Sequence, residues 1–116
     1  MDAASSPVVH SATASWTASA VPGVSVKVLR RNKATGESTS LVRFDPGTRF
    51  PAHNHPAGEE IFILEGDFTV GGHRMTAGDY LYTPPDGKHA ASTEGGCLVL
   101  VTLPYAAERD PEPGDV

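Results

Sequence analysis

Short apolar runs, each closed by a glycine, proline or acidic turn signal, recur along the chain from Val24 to Leu103. Val24 to Arg30 ends at Lys33-Ala34-Thr35-Gly36-Glu37, Thr39 to Phe44 at Asp45-Pro46-Gly47, and Ile61 to Leu64 at Glu65-Gly66-Asp67. Phe68 to Val70 ends at Gly71-Gly72, Tyr80 to Thr83 at Pro84-Pro85-Asp86-Gly87, and Cys97 to Leu103 closes the series. Runs of this length between turn-forming residues are strands, because a helix needs a longer uninterrupted stretch to bury one face. The 12 glycines and 10 prolines among 116 residues argue against a helical bundle. The pattern predicts an all-β domain of about eight strands, arranged as a sandwich or a small barrel.

A chain of 116 residues supports one core, and 39% hydrophobic against 20% charged residues gives it enough apolar material to fold. Nine Lys and Arg face 14 Asp and Glu, a net charge of -5, with no basic run to track a phosphate backbone; nucleic acid is not an expected partner. No apolar run approaches the roughly 20 residues of a membrane span. The start, Met1-Asp2-Ala3-Ala4-Ser5-Ser6-Pro7, lacks the basic and apolar regions of a secretory signal. Cys97 is the single cysteine and lies in the apolar run Cys97 to Val101, where a buried, inert thiol is expected. These features predict a cytoplasmic protein. Residues 1–20, rich in Ala, Ser and Thr with Trp16 as the large apolar anchor, read as a mobile or loosely laid arm. Residues 21–105 read as the single β domain. Residues 106–116, carrying Glu108, Asp110, Glu112 and Asp115 with Pro111 and Pro113, read as a disordered acidic tail.

The chemistry sits in the histidines. His53 and His55 are two residues apart, so on a strand both imidazoles project from one face. Glu59 follows across Pro56-Ala57-Gly58, where the chain can return a carboxylate toward the pair, with Glu60 as the competing choice. His89, after Pro84-Pro85-Asp86-Gly87-Lys88, supplies a third imidazole from far along the chain. Three nitrogens and one oxygen suit a borderline divalent ion: Fe, Zn, Ni, Mn or Cu rather than Ca or Mg. An ion preferring five or six ligands would keep positions open for water or a substrate.

These residues resemble the two motifs of the cupin superfamily. Gly47, His53, His55, Glu59 and Gly66 match every position of the first, G-x5-H-x-H-x3-E-x6-G. The second, G-x5-P-x-G-x2-H-x3-N, is met at Gly78, Pro84 and His89, while Asp86 stands at the glycine position and Thr93 at the asparagine position. Trp16 to Pro104 is similar to the ChrR-like cupins, found in zinc-dependent anti-sigma factors and in relatives of diketone-cleaving dioxygenases. The resemblance implies a small conical β-barrel of the double-stranded β-helix or jelly-roll type, with His53, His55, Glu59 and His89 inside it as metal ligands. It favours Glu59 over Glu60.

The other candidates have plainer readings. His73 beside Gly71-Gly72 reads as a solvated turn histidine, His10 as part of the arm, and Arg43 as a paired or exposed strand arginine. Phe44, Phe50, Phe62, Tyr80 and Tyr82 read as core or dimer contacts. Two functions remain. One is a metal-dependent enzyme, a dioxygenase or an isomerase or cyclase, acting on a small carbonyl or β-dicarbonyl substrate. The other is a non-catalytic metal or small-ligand sensor; a barrel whose metal only fastens two strands ranks behind both. An exposed strand edge and the aromatics predict a homodimer.

Overall fold

The computed structural model describes residues 6–104, apart from the side chains of His53 and Asn54; the expected acidic tail, 106–116, lies outside the described residues. A short 3-10 turn, Ser11–Thr13, precedes nine strands: β1 Thr17–Ala18, β2 Val24–Arg31, β3 Ser38–Phe44, β4 Arg49–His55, β5 Glu59–Val70, β6 His73–Thr76, β7 Tyr80–Thr83, β8 Gly87–Ser92 and β9 Cys97–Leu103. All pairings are antiparallel. The first layer runs β1-β2-β3-β9-β5-β7 and the second β4-β8-β5-β6, so β5 belongs to both. No helix among the described residues is long and apolar enough to cross a membrane.

The sharing of β5 corrects the expected turn at Glu65-Gly66-Asp67. The strand continues through these residues with a bulge, where its register against β9 shifts between Ile63 and Glu65. The inward positions are Glu59, Ile61 and Ile63 before the shift and Phe68 and Val70 after it, so one extra residue changes the parity of the buried face. Gly66 makes the bend possible. It takes φ 83, and a Cβ there would lie 2.0 Å from the Gly96 carbonyl oxygen.

The core fills the space between the layers. Phe44 of β3 meets Phe50 of β4 and Phe68 of β5 edge-on, with ring centroids 6.3 and 5.3 Å apart, and so joins the two sheets. Ile61, Ile63 and Val99 are fully buried around them, each such side chain contributing roughly 1.5–3 kcal/mol. On the outer face of the first layer, Thr17 pairs with Val26, and Trp16 lies over Lys27 and Arg43, 4.7 and 4.2 Å from its ring centroid. Lys27 is buried there and donates to the Ser11 carbonyl.

Candidate metal centre

Strand pairing brings the site residues together. In the β4–β8 ladder His53 is opposite His89 and His55 opposite Gly87. The chain then turns through Pro56-Ala57-Gly58, with Gly58 at φ 73, and re-enters the barrel as Glu59, the first residue of β5. The carbonyl of His55 accepts two backbone N–H groups, from Gly58 at 3.0 Å and Asp86 at 2.8 Å. Both flanking loops are therefore tied to the end of β4.

Oε1 of Glu59 lies 3.1 Å from Nε2 of His55 and 3.3 Å from Nε2 of His89. The two imidazoles stack, with centroids 4.4 Å apart and planes inclined by 21°. Glu59 is wholly buried and His55 nearly so. The Nδ1 of His55 donates to the Gly87 carbonyl at 3.1 Å. That bond leaves Nε2 of the neutral ring with a lone pair, aimed at a carboxylate oxygen that also has only lone pairs. Two acceptors this close, out of water, require a cation between or beside them: a proton or a metal ion.

The remaining polar atoms point the same way. Both carboxylate oxygens of Glu59 and both ring nitrogens of His89 are buried without a hydrogen bond of good geometry. One donor atom each from His55, Glu59 and His89 fall within 4.8 Å of one another, close enough to share an ion. Burial pushes the Glu59 carboxyl up, but when the rings of His55 and His89 carry a proton their hydrogen bonds and charges outweigh burial and hold the group below its ordinary value. It is thus an anion at neutral pH, as a ligand must be. The donor set fits a divalent transition ion.

The backbone of His53 sits opposite His89 in this ladder, while its side chain lies outside the described residues. Glu60 is on the other face: it is exposed, and its Oε1 accepts from the Tyr80 hydroxyl at 2.5 Å, which raises the tyrosine pKa. His73 is exposed at the start of β6, and Cys97 is buried, its thiol pushed up to about 11 chiefly by burial. Phe44 and Phe50 are core, whereas Phe62, Tyr80 and Tyr82 are exposed.

The second motif keeps its geometry with altered residues. Asp86 adopts φ 64, the left-handed conformation that glycine takes most freely and Asp tolerates. Gly87 is required for a different reason: a Cβ there would lie 2.5 Å from Cγ2 of Thr83 and 3.0 Å from the Pro84 carbonyl. Its carbonyl orients His55, a role the sequence reading missed. The signal for it was a glycine displaced by one position, two residues before His89.

The model of the ChrR cupin-like domain family matches residues 4–106. The chain belongs to this family. The cupin-like domain is 31% identical over 75 residues to the DNA damage-repair/toleration protein DRT102 of Arabidopsis thaliana, covering 60% of this chain but 23% of that one. It thus spans about a quarter of the length of that curated relative. Among solved structures it resembles an RmlC-like cupin from Shewanella frigidimarina, with a TM-score of 0.79, 24% identity, and coverage of 90% of this chain and 95% of that one. It also resembles a candidate acetylacetone dioxygenase from Methylibium petroleiphilum, with a TM-score of 0.77, 18% identity, and coverage of 92% and 85%. At these identities the structural likenesses establish the cupin fold.

Proposed function

We propose that the protein is a divalent-metal-dependent enzyme acting on a small oxygen-bearing carbonyl substrate, with His53, His55, Glu59 and His89 as the metal ligands. The observation that carries this reading is the buried Glu59 carboxylate, set against Nε2 of two imidazoles with its oxygens otherwise unpartnered. A transition ion held there supplies Lewis-acid polarisation of a carbonyl or, as iron, oxygen chemistry. The chain's own contribution is orientation and charge. The Gly87 carbonyl sets the tautomer of His55, so that the ring presents Nε2 inward. Glu59 adds one negative charge, leaving the site with a net positive charge when a divalent ion is bound. Ile61 and Ala91, two residues beyond Glu59 and His89 on the same inward faces, continue the site as an apolar wall that excludes water.

The substrate class that matches such a centre is an enolisable carbonyl such as a β-dicarbonyl, and the likeness to the candidate acetylacetone dioxygenase supports it. Exposed Phe62, Leu64, Tyr80 and Tyr82 support pairing of two copies as a homodimer. A single buried thiol is consistent with a reducing, cytoplasmic setting.

The test is elemental analysis of protein purified without immobilised nickel, followed by oxygen uptake and substrate loss on a panel of β-dicarbonyls after anaerobic loading with Fe(II), Zn(II), Ni(II) or Mn(II). Turnover with one metal is expected. A stoichiometric metal with no turnover in any form would replace the enzyme with a sensor.

A further inference from the structure

One row of side chains crosses the second layer from edge to edge. Arg74 of β6 is opposite Thr69 of β5, Thr69 is opposite Ser92 of β8, and Ser92 is opposite Arg49 of β4. The residues that alternate with them, Phe50, Phe68, Val70, Met75 and Ala91, are all buried in the core, so the row faces outward. Strands spaced about 4.8 Å apart put the two outer Cα atoms about 14 Å from each other. An anion seated over the two hydroxyls is then within reach of both long arginine side chains.

The surface is concave at this point. Arg49, Pro51, Thr69, Gly71, Gly72 and Ser92 line a groove of about 450 Å³. The turn glycines, at φ 56 and 82, leave its rim open, since a Cβ on either would meet nothing within 4 Å. Neither arginine forms an ion pair among the described residues, whereas Arg30 is paired with Glu37 and Arg43 is stacked on Trp16. Asp67, two residues before Thr69 on β5, already accepts the backbone N–H groups of Glu94 and Gly95, and it also feels the charge of Arg74. Lys88 lies on the same strand as Ser92 but four residues away, so Arg49 and Arg74 are the cations of the row. On a chain of net charge -5 this is a local reversal of sign.

We propose that this groove binds the phosphate group of a small molecule, at a site separate from the histidine centre. Guanidinium forks match the oxygens of a phosphate, and hydroxyls between them donate to the same oxygens. The volume is that of a small-molecule site rather than a polymer track. Nothing in the proposal depends on what the metal centre does.

The experiment is a ¹⁵N NMR titration of the full-length protein with inorganic phosphate and with phenyl phosphate, at constant ionic strength set with sodium chloride. Saturable shifts of the Thr69, Gly71, Gly72 and Ser92 amides are expected. Arg49→Gln and Arg74→Gln, both at exposed positions, should each weaken binding roughly tenfold, the value of one charge-assisted pair. Arg31→Gln, on the other layer, should leave the affinity unchanged. Shifts that do not saturate, an equal loss in Arg31→Gln, or shifts confined to the residues around His55, Glu59 and His89 would each overturn the proposal.

Discussion

His55 and His89 stack at 4.4 Å and both direct Nε2 at the same atom, Oε1 of Glu59. With its Nδ1–H on the Gly87 carbonyl, a neutral His55 turns an acceptor toward the Glu59 carboxylate, so that contact calls for a proton or a metal ion. The cluster could hold a metal ion, and a single measurement separates Glu59 from Glu60. Glu59→Gln should weaken Zn(II) or Co(II) binding at least about tenfold. Glu60→Gln, on the outer face, should leave it unchanged, as read by competition with a chromophoric chelator.

Gly87→Ala should be costly twice over. Its Cβ would press on Thr83 and Pro84, a strain of roughly 1–3 kcal/mol, and relieving it would move the carbonyl that orients His55. We expect a lower midpoint in urea and a metal affinity reduced about 10-fold or more. Asp86→Gly, which keeps the left-handed turn, should retain the metal affinity.

Asp67 gives the protein an acid-sensitive clasp. The backbone N–H groups of Glu94 and Gly95 hold its carboxyl below the ordinary value. Its contribution is therefore complete above the unfolded value of about 3.9 and is lost as the pH falls through the folded value. Asp67→Asn should lower stability by about 1 kcal/mol at pH 7. The gap between the two proteins should close toward pH 3, measured as urea midpoints across that range.

The Cys97 thiol should be silent in the native protein. With its pKa pushed up to about 11 by burial, roughly one molecule in a thousand carries a thiolate at pH 8. Reaction with a disulfide reagent should be slow until denaturant is added and then go to one equivalent. Rapid labelling of the folded protein would mean that β9 opens readily.

If Phe62, Leu64, Tyr80 and Tyr82 form the contact between two copies, charged residues there should separate them without touching the core. Phe62→Lys with Tyr80→Lys should halve the mass measured by light scattering. An unchanged mass would place the contact elsewhere.

The sequence was most readable where burial and turn chemistry coincide. Tyr80–Thr83 and Cys97–Leu103 match β7 and β9 to the residue, because each is a compact apolar run closed by glycine or proline. Glu65-Gly66-Asp67 reads as a turn by composition, yet the β9 ladder carries the strand through it as a bulge. β6 is hard to see, since Met75 is its one buried residue. Glu59 and Glu60 are equivalent by spacing, and what separates them is which face of β5 the layers enclose. The same applies to Phe62, Tyr80 and Tyr82, where alternation reports two faces but not which one has a sheet stacked on it. The histidine motif was legible because its spacing encodes a turn between two strands. The arginine row was not, because Arg49, Thr69, Arg74 and Ser92 become neighbours only through three separate ladders.

β9 lies between β3 and β5 although it is the last strand in the chain. Until residues 97–103 leave the ribosome, β3, with Leu41, Val42 and Phe44, and the first half of β5, with Ile61, Phe62 and Ile63, each present an open edge to any other strand in the vicinity. The closing strand is thus also a release from risk. Interrupting synthesis just before Cys97 should give a chain that aggregates, whereas a break after Leu103 leaves both edges covered.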